Sequence, residues 1–395
     1  MIKIFHFADL HLDSPFSGSD IKRSEEGRER QRGVFRRMMA HIRETGYDLV
    51  LIAGDLYDCG FVTEETAALV TRELSSLSCP VVIAPGNHDP FIKGSLYSFA
   101  RFGENVHIFE NDKLSRFDFA ELGVSVYGYA FTGNSLRENP LSEAETSGGE
   151  KIKLLCAHTE VGNPLSLYAP TTYADIERAG FSYAALGHIH KAPEPFISGS
   201  LVAAYPGMPE GRAFDETENG GALALTVFET GEETKTTFEK LNFAEYSYEI
   251  EQLDISYATC EKDVEDRIEL AIAEKKYSKK TAVRFILRGV VDLGFSVRAK
   301  ALEEKFSRVL DLAEIKDETV PLLGSEALES DPTVRGEFYR ILKEKMENGT
   351  AEERATAALA FKIGLSALEG RDLSVFMPST EIEENTEVYD EDTQP

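Results

Sequence analysis

Long apolar runs are missing from this chain. No stretch approaches the ~18 consecutive apolar residues of a membrane span, and the first residues lack the basic start and long apolar core of a secretory signal. A protein without a membrane segment is expected. Cysteine is scarce: Cys59, Cys79, Cys156 and Cys260 are scattered without paired spacing. That pattern predicts free thiols in a reducing cytoplasm rather than a disulfide framework. Basic charge is also in short supply, with 42 Lys and Arg against 69 Asp and Glu and a net charge of −27. This balance runs against a simple nucleic-acid binder, whose footprint is basic. Part of the excess is local, since the last 17 residues, from Ser379, hold seven acids and no base. The remainder is still strongly acidic, so a nucleic-acid substrate needs metal ions and local basic patches to offset the repulsion.

What is present suggests several domains with a large core: 395 residues, 42% hydrophobic and 28% charged. Residues 1–240 read as layered α/β. Strand Ile2–Ala8 is followed by a polar loop with Gly18, Asp20 and Gly27, and then by a helix over about Arg28–Glu44 with Val34, Met38 and Ile42 on one face. Its arginines (Arg28, Arg30, Arg32, Arg36, Arg37) suit a solvated face, with phosphate contact as the alternative. Near-continuous apolar strands Leu49–Ala53 and Pro80–Ala84, with a helix over about Glu64–Leu77 between them, predict a sheet buried on both faces. Strands at Val106–Phe109, Val124–Ala130, Ile152–Ala157, Tyr183–Leu186, Leu201–Tyr205 and Ala222–Phe228 predict a second sheet packed on the first. Asn134–Glu150 reads as a mobile loop.

Residues 245–321 read as a small α/β cap. Tyr246, Tyr248 and Ile250 alternate, Thr259 can cap a helix carrying Val264, Ile268 and Ile272, and a strand with Val283, Phe285 and Leu287 precedes a helix with Leu302, Phe306 and Val309. Within it, Lys275 to Lys280 form a basic loop around Tyr277, suited equally to a DNA contact or a solvated helix end. Residues 330–377 read as helical. Asp331-Pro332 suits a helix start, Phe338, Leu342 and Met346 share a face, and Gly349 ends the helix. Thr350 and Glu353 suit a capping box for a second helix, whose Ala358, Phe361, Leu365 and Leu368 form a narrow seam. That seam can pack on its own domain or dock a partner coiled coil. Residues 378–395 form an acidic tail expected to be disordered.

The chemistry concentrates where strands end. Asp9 and His11 close the first strand, and Gly54-Asp55, Gly86-Asn87-His88-Asp89, His158 and Gly187-His188-Ile189-His190 close later ones. A single histidine after a strand is more often a plain polar terminus than a ligand. Five imidazoles, two or three carboxylates and a carboxamide, all at strand ends, instead suggest a metal site at the carboxyl edge of a sheet. His6, His41 and His107 lack that setting and read as structural. Mixed N/O ligation suits Mn²⁺, Fe or Zn²⁺ better than Mg²⁺, and the absence of thiolates argues against structural zinc. Two such ions sharing a carboxylate can activate water and stabilise a phosphoryl transition state. Asp55, central among the segments, is the natural bridge.

Together, Asp9-x-His11, Gly54-Asp55-x-x-Asp58, Gly86-Asn87-His88-Asp89, His158 and Gly187-His188-x-His190 resemble the calcineurin-like metallophosphoesterase signature. More narrowly, residues 8–12, 54–58, 186–191 and Tyr205-Pro206-Gly207 resemble the SbcD/YhaO-type DNA-repair exonucleases, over about residues 1–240. The resemblance implies an αββα sandwich with a cap domain and a C-terminal helical segment. It implies one metal on Asp9, His11, Asp55 and His190 and a second on Asp55, Asn87, His158 and His188, with Mn²⁺ expected. His88 is implied to face the scissile phosphate as general acid or transition-state stabiliser. Asp89 either orients it or is an ordinary turn carboxylate. Asp58 stands where some relatives carry a histidine thought to position DNA. The implied partners are DNA, an SbcC-like SMC/ABC ATPase and a second copy in a homodimer. Three functions are open: a DNA exonuclease, a phosphatase or phosphodiesterase on nucleotides or other small esters, and an inactive scaffold. The full donor set argues against the last.

Overall fold

Strand β1 (Ile2–Phe7) sends Ile2 and Ile4 to one face and Phe5 and Phe7 to the other, and all four are buried. That two-sided burial, required wherever a sheet is covered on both faces, sets the layering of the first half of the chain. The structure, a computed structural model, describes residues 1–15, 21–142, 144, 146, 149–230, 233–292, 295–323, 325–368 and 373. The acidic tail expected at 378–395, together with Gly18 and Asp20, lies outside these residues. Two units are distinguished, Met1–Glu249 and Ile250–Pro395.

In the first unit β1 leads to α1 (Ile21–Thr45), β2 (Leu49–Ile52), α2 (Glu64–Ser75), β3 (Val81–Ile83), α3 (Leu96–Phe99) and β4 (Val106–Ile108). Next come β5 (Ser115–Phe119), β6 (Val124–Gly128), β7 (Ile152–His158), α4 (Tyr173–Arg178), β8 (Tyr183–Gly187), β9 (Phe196–Ser198) and β10 (Leu201–Ala204). The hairpin β11 (Ala222–Thr230) and β12 (Glu233–Leu241) follows. One six-stranded sheet has the order β12-β11-β1-β2-β3-β4 and the other β5-β6-β7-β8-β10-β9. Their facing sides share one apolar layer that includes Ile4, Leu51, Val82, Val126, Leu154 and Ala185. The outer face of the first sheet is covered by Val34, Phe35, Met38 and Leu69 of α1 and α2, and that of the second by Ile176 of α4. This is the helix–sheet–sheet–helix sandwich expected of the metallophosphoesterase fold.

Helix α1 starts at Ile21, earlier than expected, so Gly27 lies inside it and is buried. One glycine costs a helix about 1 kcal/mol relative to alanine, which the surrounding glutamates and arginines tolerate; Gly46, at φ +69°, then terminates the helix. The arginine face of α1 is largely engaged within the chain. Arg32 pairs with Asp13 and Glu29, Arg36 with Glu29, Arg37 with the Phe243 carbonyl, and Arg30 lies over the Tyr246 ring. Neither the solvated reading nor the phosphate reading anticipated this. In the loop expected to be mobile, Leu141 is buried, and Leu136 exchanges backbone bonds with Leu167 and Ala169.

In the second unit β13 (Ser247–Asp254), α5 (Glu261–Lys275), β14 (Thr281–Arg288), β15 (Val290–Val291), α6 (Ala299–Phe306), β16 (Leu312–Asp317) and β17 (Val320–Pro321) form a small α/β layer. Val264 and Ile268 of α5 and Leu302 of α6 pack with Val283, Phe285 and Leu287 of the sheet β13-β14-β16. Two details differ from expectation: Cys260 rather than Thr259 caps α5, and Val309 lies beyond α6 and is half exposed. The basic loop is turned inward in part. Lys279 donates to the Ser307 and Leu310 carbonyls behind α6, and the Tyr277 hydroxyl meets Glu251. Helices α7 (Glu326–Glu329), α8 (Val334–Asn348) and α9 (Ala351–Leu368) follow. The α8 cap is Thr333, two residues past the expected Asp331, while Thr350 and Glu353 close the expected capping box. Ala358, Phe361 and Leu365 of the α9 seam are buried, and Leu368 is exposed. Phe361 and Leu365 pack against Tyr339 and Leu342 of α8, and Lys362 anchors α9 on Asp317 and Thr319. No helix of the described residues is long and apolar enough to cross a membrane, and all four cysteines are free.

Candidate metal centre

Beyond β1 and β2 the chain runs on side by side. Asp9 N donates to Gly54 O at 3.1 Å, His11 N to Asp55 O at 2.9 Å and Leu12 N to Leu56 O at 3.0 Å. Asp9, His11 and Asp55 adopt positive φ (55°, 49° and 50°), as does His188 at 107°. Non-glycine residues in that region are strained, and such strain gathers at functional sites. Here it turns successive side chains off the pleat and into one bowl. Two glycines make room: a Cβ on Gly54 would sit 2.5 Å from His158 Nδ1, and one on Gly187 would sit 1.9 Å from the Ala53 carbonyl.

The bowl gathers three clusters of ligand-type atoms: Asp9, His11 and His190; Asp9, Asp55 and His158; and His11, Asp58 and His88. Asp55 stands at the centre. Its Oδ1 accepts His88 N at 2.9 Å, while Oδ2 faces His158 Nε2 at 3.2 Å and His11 Nε2 at 3.7 Å. Asn87 Oδ1 lies 3.0 Å from the same His158 nitrogen. Asp9 is held by His188 N, 3.0 and 3.1 Å from its two oxygens. His188 belongs to none of the three clusters; its ring lies between those of His158, 5.1 Å away, and Tyr168, 4.5 Å away.

The donor chemistry fits cations. His158 Nδ1 is 3.0 Å from the Ala53 carbonyl, which can only accept, so Nδ1 carries a proton and Nε2 faces the oxygens of Asp55 and Asn87. His11 Nδ1 meets Asp58 at 2.8 Å and His190 Nδ1 meets Glu216 at 2.8 Å, yet their Nε2 atoms face each other at 3.1 Å. With both Nδ1 protons committed to carboxylates, two lone pairs oppose each other beside Asp9, an arrangement that a positive ion relieves. Burial alone depresses the His158 imidazole, but Asp55 and Asp9 outweigh it and raise it to about 9. Burial, then the charge of His158, lowers His188 to about 4 and keeps it a neutral donor. The chain thus has a candidate two-metal site of Asp and His residues.

His88 is half exposed, and its Nδ1 lies 3.2 Å from Asp58 Oδ1. That bond, against the opposing effect of burial, raises its pKa. Asp58 therefore holds both His11 and His88. Although burial opposes it, their hydrogen bonds keep its carboxyl well below the ordinary range. Asp89 does not orient His88. It is fully buried and accepts from Gly86 N at 2.6 Å, Asp55 N at 3.0 Å, Leu56 N at 2.8 Å and the Tyr97 hydroxyl at 2.7 Å. It braces the two loops that carry Asp55 and His88. His6 is buried against the Tyr183 hydroxyl, His41 against Tyr47, and His107 between Phe117 and Phe119, all outside the bowl. The sequence reading missed Glu216 and Arg212. They sit in an irregular stretch with no strand-end signal, and only their spacing of four hinted at a pair.

The profile of the calcineurin-like phosphoesterase family matches residues 2–192. The chain is 26% identical over 333 residues to the uncharacterized metallophosphoesterase YhaO of Bacillus subtilis, covering 80% of this chain and 79% of that protein. It is 22% identical over 300 residues to SbcD, the smaller-letter partner in the name of the SbcCD nuclease, from Staphylococcus epidermidis, covering 68% and 76%. It is 26% identical over 309 residues to the DNA double-strand break repair protein Mre11 of Methanopyrus kandleri, covering 71% and 65%. Residues 2–192 are therefore a calcineurin-like phosphoesterase domain, and the chain that carries it is a hydrolase acting on phosphoester bonds.

Proposed function

We propose that the protein is a two-metal, Mn²⁺-dependent phosphodiester hydrolase, a DNA exonuclease of DNA repair that acts with an SbcC-like SMC/ABC ATPase. The observation that carries this reading is the single Asp55 oxygen set between His11 and His158, with half-exposed His88 beside it. Asp9, His11, Asp55 and His190 would hold one ion, and Asp55, Asn87, His158 and His188 the other. When bound, the ions supply Lewis-acid activation of water and positive charge for the phosphoryl transition state. Asp58 keeps the His88 proton on Nδ1 engaged, so Nε2 is the atom that gives a proton to the leaving oxygen. Asp89 and Gly86 keep the Asp55 and His88 loops in register while that transfer occurs.

The names of two relatives, a nuclease component and a double-strand break repair protein, support DNA as the substrate class. On this reading residues 245–321 are a DNA-contact cap, residues 330–377 dock the ATPase, and a cytoplasmic homodimer presents two sites to one DNA. The charge of −27 and the engagement of the α1 arginines within the chain favour a second reading, a phosphatase or phosphodiesterase on small esters. Incubation with Mn²⁺ and end-labelled linear duplex, beside a chromogenic phosphodiester and the His88→Ala variant, separates the two. Degradation of the duplex that is lost in the variant is the expected result. Turnover of the small ester while DNA stays intact, even with the ATPase added, would overturn the exonuclease.

A further inference from the structure

Among the described residues, one carboxylate outside the strand-end segments reaches a histidine of the bowl. Glu216 Oε1 lies 2.8 Å from His190 Nδ1. The carboxylate is itself fixed on every side: Oε1 also accepts Arg212 Nη2 at 2.6 Å, and Oε2 accepts the Arg212 backbone N–H at 3.0 Å and its Nε at 3.1 Å. Arg212 Nη1 then donates to Ser14 Oγ at 2.9 Å, tying this stretch back to the loop after Asp9 and His11. The backbone is shaped for the contact, since a Cβ on Gly211 would come within 2.1 Å of the Glu216 carbonyl. Glu216 and Arg212 are both largely buried, with side chains 10% and 17% exposed.

We infer that Glu216, locked by Arg212, is the positioning residue that sets the tautomer and orientation of His190 for metal binding; this rests on the metal-centre reading above. A carboxylate on Nδ1 holds the proton there, aims the Nε2 lone pair at Asp9 and His11, and makes that lone pair a better donor. Asp58 stands in the same relation to His11, so the two imidazoles whose Nε2 atoms face each other are each backed by their own acid. Without Glu216 the His190 ring is free to move its proton to Nε2, and the donor is lost. A purely structural ion pair, pinning the stretch 211–216 to Ser14, makes a different prediction: it affects folding and leaves metal affinity alone.

The test is calorimetric titration of metal-free full-length protein with Mn²⁺, for wild type, Glu216→Ala and Glu216→Gln, with the thermal midpoint of each metal-free form recorded. Glu216→Ala is expected to weaken one of the two ions by about 10- to 100-fold, leaving the other near its wild-type affinity. Glu216→Gln, whose amide oxygen still accepts from Nδ1, recovers part of the loss. Side-chain ¹⁵N spectra of the metal-free forms should show the His190 proton leaving Nδ1 in Glu216→Ala. Wild-type affinity for both ions in either variant would overturn the inference. Should Glu216→Ala fail to fold, Glu216→Gln decides alone, weakened binding supporting the positioning role and unchanged binding refuting it. A wild type that takes up no ion would instead overturn the metal-centre reading on which the inference stands.

Discussion

At the scale of single residues, the bowl divides into atoms that can face an ion and atoms that hold them. The first kind was readable in the sequence, because histidines and carboxylates directly after apolar strands are unusual in combination. The second kind was not. Asp58 looked like a motif position, yet it grips two imidazoles at once; Asp89 looked like a neighbour of His88, yet it bonds four other groups. Hydrogen-bond direction depends on loop conformation, which residue type does not encode. Two outcomes follow at this scale. His88→Ala should lower phosphodiester turnover by about 10²- to 10⁴-fold while metal content, read by elemental analysis, stays that of wild type; loss of metal would show that His88 is a ligand. Asp55→Asn should lose both ions together, because one oxygen faces both histidines; retention of two ions would remove Asp55 as the bridge.

At the scale of elements, the strands buried on both faces were legible as apolar runs. Strands β5, β9 and β12 were not. All three lie at sheet edges, where one side is open and polar residues are tolerated. Strand β12 reads Glu-Thr-Lys-Thr-Thr-Phe-Glu-Lys-Leu and gains its place only by pairing with β11. The strand ends also impose a limit that periodicity does not reveal. Gly187 closes β8 in the second sheet with no room for a side chain against Ala53, just past β2 in the first. Gly187→Ala should therefore destabilise the fold by roughly 1–3 kcal/mol or more, seen as a lower urea midpoint. A midpoint equal to wild type would mean that the two lips separate without cost.

At the scale of the whole chain, the division between Met1–Glu249 and Ile250–Pro395 follows a change in sequence pattern near Glu245, but the acidic surplus gave no hint of how its charges are arranged. One buried group ties the two sheets of the first unit and makes their union sensitive to acid. His6 of β1 is fully buried and bonded through Nδ1 to the Tyr183 hydroxyl of β8 at 2.8 Å; burial pushes its pKa down to about 3. In the unfolded chain a histidine titrates near ~6.5, so protons favour the unfolded state once pH falls below that value. The stability His6 allows is complete above pH ~6.5 and declines by roughly 1.4 kcal/mol per unit below it, until about pH 3. Denaturation of wild type and His6→Gln at several pH values isolates this contribution, since the carboxylates are common to both. The advantage of wild type should shrink steadily below pH ~6.5; a pH-independent difference would mean that His6 is protonated in the folded state.

The split of the bowl between two sheets bears on the order in which the protein is made. Asp9, His11, Asp55 and Asn87 come from the lips of the first sheet, His158, His188 and His190 from those of the second, and Asp9 and His188 meet across 179 positions of sequence. A chain still emerging from the ribosome holds the early carboxylates long before it holds the late imidazoles. Until β8 has docked, the half-formed bowl lacks the donors to retain its ions, so hydrolysis of phosphoesters waits for a nearly finished first unit.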